Sequence, residues 1–226
     1  MTAGGVRLDV VDDGIAVVTV DRPPGNPFDA DVINGLHAAW RGAGADERVR
    51  IVVLRAEGAD FCVGSSNPDP ALDDATTADW AFERDLPKPT IAAVQGACVG
   101  VGQRAVWPCD LVVAADDAYF ADSAVGRVGA APGLTWEWGP RTAKLMLSSG
   151  ARVPASVARR RGVVNRVVPA AELDTRVMAL AREIAGRDPF ALAQVKRAVN
   201  RTCDIKGQRY LVNSVVDFAL GSRVSL

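Results

Sequence analysis

LPKPTIAAVQGACVGVG, residues 86–102, is the most informative stretch of the sequence. Two prolines flank Lys88, the apolar run Thr90–Gln95 follows, and the stretch ends in closely spaced glycines. Similar apolar runs occur at Arg50–Ala56 (RIVVLRA) and Asp110–Ala114 (DLVVA). Such runs are typical of strands that are buried on both faces, as in a parallel sheet. The segments between them fit β-α-β crossovers, so the pattern predicts an α/β fold with parallel strands.

The N-terminal side predicts a hairpin followed by a helix. Arg7–Val11 and Ile15–Asp21 are rich in β-forming residues, and Asp12-Asp13-Gly14 between them favours a tight turn. Asp29 is placed to cap a helix that runs to about Gly42.

The C-terminal half is predicted to be helical. The expected helices are Arg141–Ser149, Glu172–Gly186, Pro189–Asn200 and Gly207–Leu220. Gly58–Pro70 and Asp73–Lys88 are expected to form a loop and at most a short helix, because prolines interrupt them. We predict one domain, in which residues 1–168 form the core and residues 169–226 form a helical C-terminal region.

Composition and charge exclude several functional classes. The 226 residues are 49% hydrophobic and 23% charged, with a net charge of −1. This balance argues against a nucleic-acid or membrane-surface partner, since both require a basic face. No apolar run reaches the roughly 18 residues of a membrane span, and the N-terminus lacks an apolar signal region.

The cysteines and the single histidine argue against disulfides and metal. The four cysteines lie far apart without a CxxC pair, which indicates reduced thiols in a cytoplasmic protein. His37 fits the apolar pattern of the first predicted helix, so we interpret it as a partly buried helix residue. No metal site is expected.

Seven segments occur in a characteristic order. They are Val20–Pro27, Val52–Arg55, Phe61–Ser65, Leu86–Gly96, Gly100–Gly102, Cys109–Leu111 and Gly162–Val168. In this order and near this spacing they resemble the crotonase (enoyl-CoA hydratase/isomerase) family over nearly the whole chain. The resemblance implies a crotonase-like spiral of ββα units with a helical C-terminal region used for trimerisation. It also implies a homotrimer, or a hexamer built as a dimer of trimers.

The resemblance further implies an acyl-CoA thioester as the substrate. Coenzyme A would enter as part of that substrate, with no permanently bound cofactor. Family positions that contact coenzyme A correspond to Arg22, Val63 and Gly64. Arg22 would lie near the phosphates, and a solvated loop arginine is the alternative interpretation.

The shared chemistry of the family is the stabilisation of an enolate. The thioester oxygen gains negative charge in the transition state, and two backbone N–H groups stabilise it. By motif these are the N–H groups of Ser65, after Gly64, and Val101, between Gly100 and Gly102. Glycines permit the close backbone approach, and Val101 would begin a helix whose N-terminus favours an anion. Taken alone, the segment around Ser65 also fits an ordinary loop turn.

The segment Gly100–Ala105 has a second interpretation. It matches the G-x-G-x-x-A pattern of dinucleotide sites and lies between a predicted strand and a helix. A nicotinamide-dependent oxidoreductase would usually carry this pattern after the first strand of its domain, and here it occurs in mid-chain.

The family pattern breaks at the two glutamates that hydration normally requires. One family glutamate activates water and the other helps to deliver a proton. The first position is Arg104 here, and the second is Ala124, or Val125 if the one-residue length difference is placed earlier. Arginine keeps its proton near neutral pH, and neither alanine nor valine can ionise. Ordinary hydratase activity is therefore doubtful.

Asp122 and Glu137 are the candidate acids that remain. Asp122 precedes the second lost position by two residues, and Glu137 follows a predicted turn at Pro132-Gly133. A single acid suffices for double-bond isomerisation or for protonating an enolate. The alternatives are a capping or salt-bridging role for Asp122 and a surface position for Glu137. Arg104 either pairs with one of these acids or binds a carboxylate or second carbonyl of the substrate.

Two functional hypotheses follow. The first is an acyl-CoA enzyme of the enoyl-CoA hydratase/isomerase type. The second is a non-catalytic or accessory family member that binds CoA esters. It is suggested by Arg104 and Ala124 at the glutamate positions, and by a Ser65–Lys88 stretch and a C-terminal region that are both short for the family.

The last predicted helix has an apolar face that suggests a protein partner. This face comprises Leu211, Val212, Val215, Val216 and Leu220.

Overall fold

The structure is a computed structural model that describes residues 2–66, 80–122 and 131–213. The strands are β1 (Thr2–Ala3), β2 (Val6–Val11), β3 (Ile15–Val20), β4 (Ile51–Ala56), β5 (Thr90–Val94), β6 (Ala97–Val99), β7 (Leu111–Ala115), β8 (Tyr119–Ala121), β9 (Val153–Pro154) and β10 (Arg166–Val168). The helices are α1 (Ala30–Ala45), α2 (Trp80–Arg84), α3 (Val101–Val106), α4 (Ala131–Trp138), α5 (Pro140–Ser149), α6 (Ala155–Arg161), α7 (Leu173–Ala185), α8 (Pro189–Ile205) and α9 (Gln208–Asn213).

The predicted hairpin and first helix are confirmed. Strands β2 and β3 pair antiparallel, and Asp12–Gly14 forms a 3₁₀ turn between them. The Asp29 carboxylate accepts hydrogen bonds from the N–H groups of Asp31 and Val32, at 3.1 Å each, and so caps α1. Helix α1 continues to Ala45, slightly beyond the predicted end.

The core is a large sheet covered by helices. Its strand order is β1-β2-β3-β4-β5-β7-β10, and the pairs from β3 to β10 are parallel. Helix α7 packs on four of these strands through Leu173, Val177, Ala181 and Ala185, which recur every fourth residue and are buried. The predicted α/β class with parallel strands is confirmed.

A second, three-stranded sheet was not predicted. It has the order β6-β8-β9, with β6 and β8 parallel. These strands have two or three residues each, too short to give a periodic pattern in the sequence. Strand β6 leads through Gly100 directly into α3.

Some predicted helix boundaries and one turn need correction. Pro132 and Gly133 lie in the first turn of α4 rather than in a turn between elements, and the first turn of a helix tolerates proline because its N–H groups have no acceptor there. Helix α8 extends to Ile205, beyond the predicted Asn200. Of the helix predicted for Gly207–Leu220, the structure describes α9, and Val215, Val216 and Leu220 lie outside the described residues.

A polar cluster lies at the amino ends of β5 and β7, and we call it the amino-end cluster; it comprises Lys88, Thr90, Asp110 and Lys196. The Lys88 Nζ donates to three carbonyl oxygens at the end of α1, at 2.7–3.0 Å. The Lys196 Nζ lies 2.8 Å from an Asp110 carboxylate oxygen and 3.0 Å from the Lys88 carbonyl oxygen. The cluster therefore ties α8 to the sheet and to α1.

No helix among the described residues combines the length and the hydrophobicity that a membrane span requires.

Candidate active site

Two glycine-containing segments lie side by side after β4 and β6. Cys62 is paired in parallel with Cys98 of β6, and its N–H and C=O both hydrogen-bond to that strand, at 2.8 and 2.9 Å. Ser65 lies three residues beyond Cys62, and Val101 lies three residues beyond Cys98. Each predicted N–H donor thus follows one of the two paired cysteines by the same number of residues.

The peptide group before Ser65 is held by Phe28. The Phe28 N–H donates to the Gly64 carbonyl oxygen at 2.9 Å, and the Ser66 N–H donates to the Phe28 carbonyl oxygen at 3.1 Å. In a parallel ladder this pattern turns the N–H of the intervening Ser65 away from Phe28. Gly64 has φ 119°, a conformation that favours glycine.

Gly100, the residue before Val101, is held by hydrogen bonds at both its N–H and its C=O. The Gly100 N–H donates to the Ala121 carbonyl oxygen at 2.9 Å, and the Gly100 carbonyl oxygen accepts from the Gln103 N–H at 3.0 Å. In a trans peptide the C=O and the next N–H point in opposite directions, so the Val101 N–H points out of the start of α3. The helix itself offers no acceptor at this position. Gly100 has φ 54° and ψ −113°, which a residue with a Cβ adopts only with strain.

The backbones of the two segments are in close contact. A Cβ atom at Gly102 would lie 2.6 Å from the Cys62 Cβ, so only glycine allows α3 to pack there. At Gly100, by contrast, no atom of the described residues would lie within 4 Å of a Cβ. Within the part of the chain that the structure describes, nothing fills the space beside the turn that carries the Val101 N–H.

Arg104, at the first lost glutamate position, is buried in α3. It lies one turn after Gly100, and helical side chains lean towards the N-terminus of their helix. Its charge favours ionisation of the Cys62 thiol, but burial has the larger effect and raises the pKa of that thiol to about 12. Cys62 is therefore a neutral packing residue. The pairing of Arg104 with an acid stays a prediction.

Asp122 lies next to the start of α3. Strands β6 and β8 pair with Val99 opposite Ala121, so the following residues, Gly100 and Asp122, are neighbours. The Asp122 side chain is buried, with 1% of its surface exposed. The second lost glutamate position, Ala124 or Val125, lies outside the described residues.

Glu137 lies in the last turn of α4 and is half-buried. Burial raises the pKa of Glu137 from its ordinary value of 4.5 to about 7. A carboxyl group with this pKa exchanges its proton near neutral pH, as a general acid or base must.

The predicted coenzyme A contacts have other neighbours in the structure. The Arg22 guanidinium pairs with the Asp29 carboxylate, and this contact lowers the pKa of Asp29. The Val63 side chain is 45% exposed and borders Gly25. The assignment of Arg22, Val63 and Gly64 to coenzyme A stays a prediction.

His37 is half-buried beside Glu83, as expected of a helix residue.

One polar residue of the site was missed in the sequence. The Gln103 side chain is 1% exposed, donates to the Ala121 carbonyl oxygen at 2.8 Å and accepts from the Trp138 Nε1 at 3.0 Å. A glutamine between Gly102 and Arg104 in a short, buried helix is the signal that could have identified it.

Comparison with known proteins gives consistent matches. Residues 11–216 match the model of the family described as enoyl-CoA hydratase/isomerase. A Mycobacterium tuberculosis protein named (7aS)-7a-methyl-1,5-dioxo-2,3,5,6,7,7a-hexahydro-1H-indene-carboxyl-CoA hydrolase is 35% identical over 199 residues, which is 83% of this chain and 81% of the relative. A second protein from the same species, named as a candidate enoyl-CoA hydratase, is 34% identical and covers 89% of this chain and 75% of the relative.

Solved structures give the same result. A candidate enoyl-CoA hydratase from Mycobacterium thermoresistibile matches with a TM-score of 0.86 and 41% identity, covering 94% of each chain. An enoyl-CoA hydratase/isomerase from Xanthobacter autotrophicus Py2 matches with a TM-score of 0.89 and 30% identity, covering 98% of this chain and 88% of that one.

The nicotinamide alternative has no support. The strand before Gly100 belongs to the three-stranded sheet, and the helix after it has six residues. A dinucleotide site instead joins the first strand of a parallel sheet to its crossover helix.

Proposed function

Because the chain belongs to the enoyl-CoA hydratase/isomerase family, we propose that it binds an acyl-CoA thioester and stabilises the enolate of that thioester. The thioester oxygen would lie between the N–H groups of Ser65 and Val101. The observation that carries this proposal is the register of the two segments, which puts both donors three residues beyond the Cys62–Cys98 pair. Coenzyme A would be part of the substrate, without a permanently bound cofactor.

The two donors suit a charge that develops during the reaction. When a proton leaves the carbon next to the thioester carbonyl, negative charge moves onto the carbonyl oxygen. A preorganised N–H group typically contributes about 3 kcal/mol to stabilising such an oxyanion. The N-terminus of α3 adds a favourable dipole at Val101.

Asp122 and Glu137 are proposed to handle the proton. Asp122 is buried next to Gly100, so it lies beside the proposed enolate site. Glu137 contributes a carboxyl group with a pKa of about 7. With arginine at position 104, water activation by the usual glutamate pair is not expected. Isomerisation of a double bond, or protonation of an enolate, requires only one such acid.

The substrate could also carry a second oxygen that Arg104 binds. One relative is named as a hydrolase of a carboxyl-CoA with two ring oxo groups. A guanidinium is suited to a carboxylate or carbonyl because it presents several donors in a fixed plane. We therefore include malonyl-type and 3-oxoacyl thioesters in the substrate test.

The test is exchange of the α-proton in D₂O. Crotonyl-CoA, a β,γ-enoyl-CoA, a malonyl-type and a 3-oxoacyl thioester would each be incubated with the protein, and mass spectrometry would follow deuterium uptake and any change of product. With at least one thioester we expect uptake faster than in a protein-free sample, and we expect Asp122→Asn or Glu137→Gln to reduce it to the protein-free rate. The matched control is Asp174→Asn, which removes an exposed carboxylate from α7.

A second candidate function is an accessory CoA-ester-binding role, favoured by the arginine at position 104. Thioester binding by calorimetry, without deuterium uptake for any member of the panel, would support this role and contradict the enzymatic one. Failure to bind any of the thioesters would contradict both.

We also propose self-association into a trimer or a hexamer. Helix α8 exposes apolar side chains, with Val195 63%, Val199 57% and Ile205 82% exposed, and the first two lie one turn apart. Exposed apolar side chains of this kind are typical of a surface that another chain covers. Sedimentation equilibrium is expected to give three or six times the chain mass of 23.8 kDa, and a monomer would contradict this assembly.

A further inference from the structure

The Gln103 side chain bridges the turn that carries the Val101 N–H and two neighbouring elements. Its Nε2 donates to the carbonyl oxygen of Ala121, at the end of β8, at 2.8 Å. Its Oε1 accepts from the indole N–H of Trp138, in α4, at 3.0 Å. Both amide atoms are thus used, and the side chain is almost completely buried.

The same residue holds the critical peptide group through its main chain. The Gln103 N–H donates to the Gly100 carbonyl oxygen, which belongs to the same peptide plane as the Val101 N–H. The Gly100 N–H donates to the Ala121 carbonyl oxygen, the atom that also accepts from the Gln103 side chain. Gln103 therefore fixes one end of the turn directly and the other through a shared acceptor.

The bridge also connects the two candidate acids to this turn. Asp122 directly follows Ala121, and Glu137 directly precedes Trp138. A shift of β8 or α4 relative to α3 would move an acid with respect to the proposed enolate oxygen. Displacements of about 1 Å can lower a catalytic rate by about a hundredfold.

We infer that Gln103 is a positioning residue that sets the direction of the Val101 N–H and the placement of Asp122 and Glu137. The inference rests on the proposed function for its catalytic consequence, but the geometric consequence can be measured without any activity. Its substitution should therefore change the geometry of the turn first and the reaction as a result.

Three variants separate the parts of the bridge. Gln103→Leu removes both side-chain hydrogen bonds at similar volume. In Gln103→Glu, a protonated carboxyl group can still form both hydrogen bonds, because it has one donor and one acceptor. When the group ionises, it loses the donor to the Ala121 carbonyl oxygen. Trp138→Phe removes only the indole donor and keeps an aromatic ring against Phe120, whose centroid lies 5.3 Å from that of Trp138.

The first measurement is the ¹⁵N–¹H resonance of selectively labelled Val101 in the ligand-free protein. We expect a clear shift in Gln103→Leu and a smaller one in Trp138→Phe, with thermal unfolding confirming that each variant folds. A Val101 resonance unchanged in a folded Gln103→Leu would overturn the inference, whatever the activity of the protein.

The second measurement is the absorption of a bound chromophoric enoyl-CoA, which moves to the red when its carbonyl is polarised. No red shift in the wild type would contradict the proposed function, and the Val101 resonance would then decide the role of Gln103. With a red shift in the wild type, we expect its loss in Gln103→Leu and a tenfold to hundredfold lower kcat, at a KM within about twofold. The red shift and the kcat of Gln103→Glu should approach those of the wild type at low pH and those of Gln103→Leu at high pH. An equal red shift and an equal kcat in the wild type and Gln103→Leu would overturn the inference.

Discussion

The amino-end cluster lies at the start of β5 and the turn at Gly100 follows β6, and these two regions use polar groups differently. In the amino-end cluster, Lys88 is surrounded by three carbonyl oxygens and Lys196 contacts Asp110 at 2.8 Å, so the charges are compensated within the chain. The turn at Gly100 instead carries a backbone N–H at a helix start, and a hydrogen bond from Trp138 to Gln103 links it to α4, where burial raises the pKa of Glu137. The first arrangement stabilises the fold, whereas the second is the one that we propose to serve a ligand.

The largest effect is expected at the turn at Gly100, where Gly100→Ala should lower kcat. The added Cβ has space, but φ 54° and ψ −113° are unfavourable for alanine, so we expect the turn to relax and the Val101 N–H to rotate. Loss of one oxyanion donor typically lowers kcat at least a hundredfold, or about 3 kcal/mol. Deuterium uptake at the α-carbon of the substrate measures the effect.

Gly162→Ala is the matched control for this change. Gly162 also has positive φ, at 81°, and an added Cβ there would have no atom of the described residues within 4 Å, but Gly162 ends α6 instead of starting α3. We expect a comparable loss of stability and an unchanged kcat. Equal losses of kcat in both variants would mean that backbone strain alone, and not the direction of the Val101 N–H, is responsible.

The next largest effect is expected in the amino-end cluster, where Lys196→Met should lower the free energy of unfolding. The change keeps most of the aliphatic volume but leaves Asp110 without the ammonium group 2.8 Å away. Because Asp110 loses this ion pair but keeps its two hydrogen bonds from Thr90, we expect the free energy of unfolding to fall by about 1 kcal/mol, with kcat unchanged. Urea unfolding measures the loss, and Lys144→Met on the exposed side of α5 serves as the control. A selective loss of kcat without a loss of stability would remove the contrast between the two regions.

The smallest effect concerns the pH dependence of stability through Glu137. The pKa is about 7 in the folded protein and ordinarily 4.5, so the folded state binds more protons between these values. Stability should therefore fall as the pH rises from about 4.5 to about 7 and then level off. In Glu137→Gln this loss should be absent, and the melting temperature at pH 8 should exceed that of the wild type. Identical pH dependence in both proteins would contradict burial of this carboxyl group.

The fold could be predicted further from the sequence than the site could. Long apolar runs such as Ile51–Ala56 and the capping aspartate Asp29 act locally, so they identified the parallel strands and the first helix. The short strands β6 and β8 depend on tertiary pairing and left no pattern. Gln103 was missed for the same reason, because its two partners, Ala121 and Trp138, lie 18 and 35 residues away.

For the donors themselves, the sequence indicated which residues to examine but not their directions. Glycines at 64 and 100 predict unusual backbone conformations, and both have positive φ. The direction of each N–H, however, follows from hydrogen bonds to Phe28 and Ala121, which only the folded chain brings near. The roles of Ser65 and Val101 as oxyanion donors remain the central proposal.

A crystal structure with a bound acyl-CoA thioester tests that proposal most directly. We predict the thioester carbonyl oxygen at about 2.7–3.1 Å from both the Ser65 and the Val101 backbone nitrogen. A thioester oxygen bound elsewhere, or held by only one of these two groups, would contradict it.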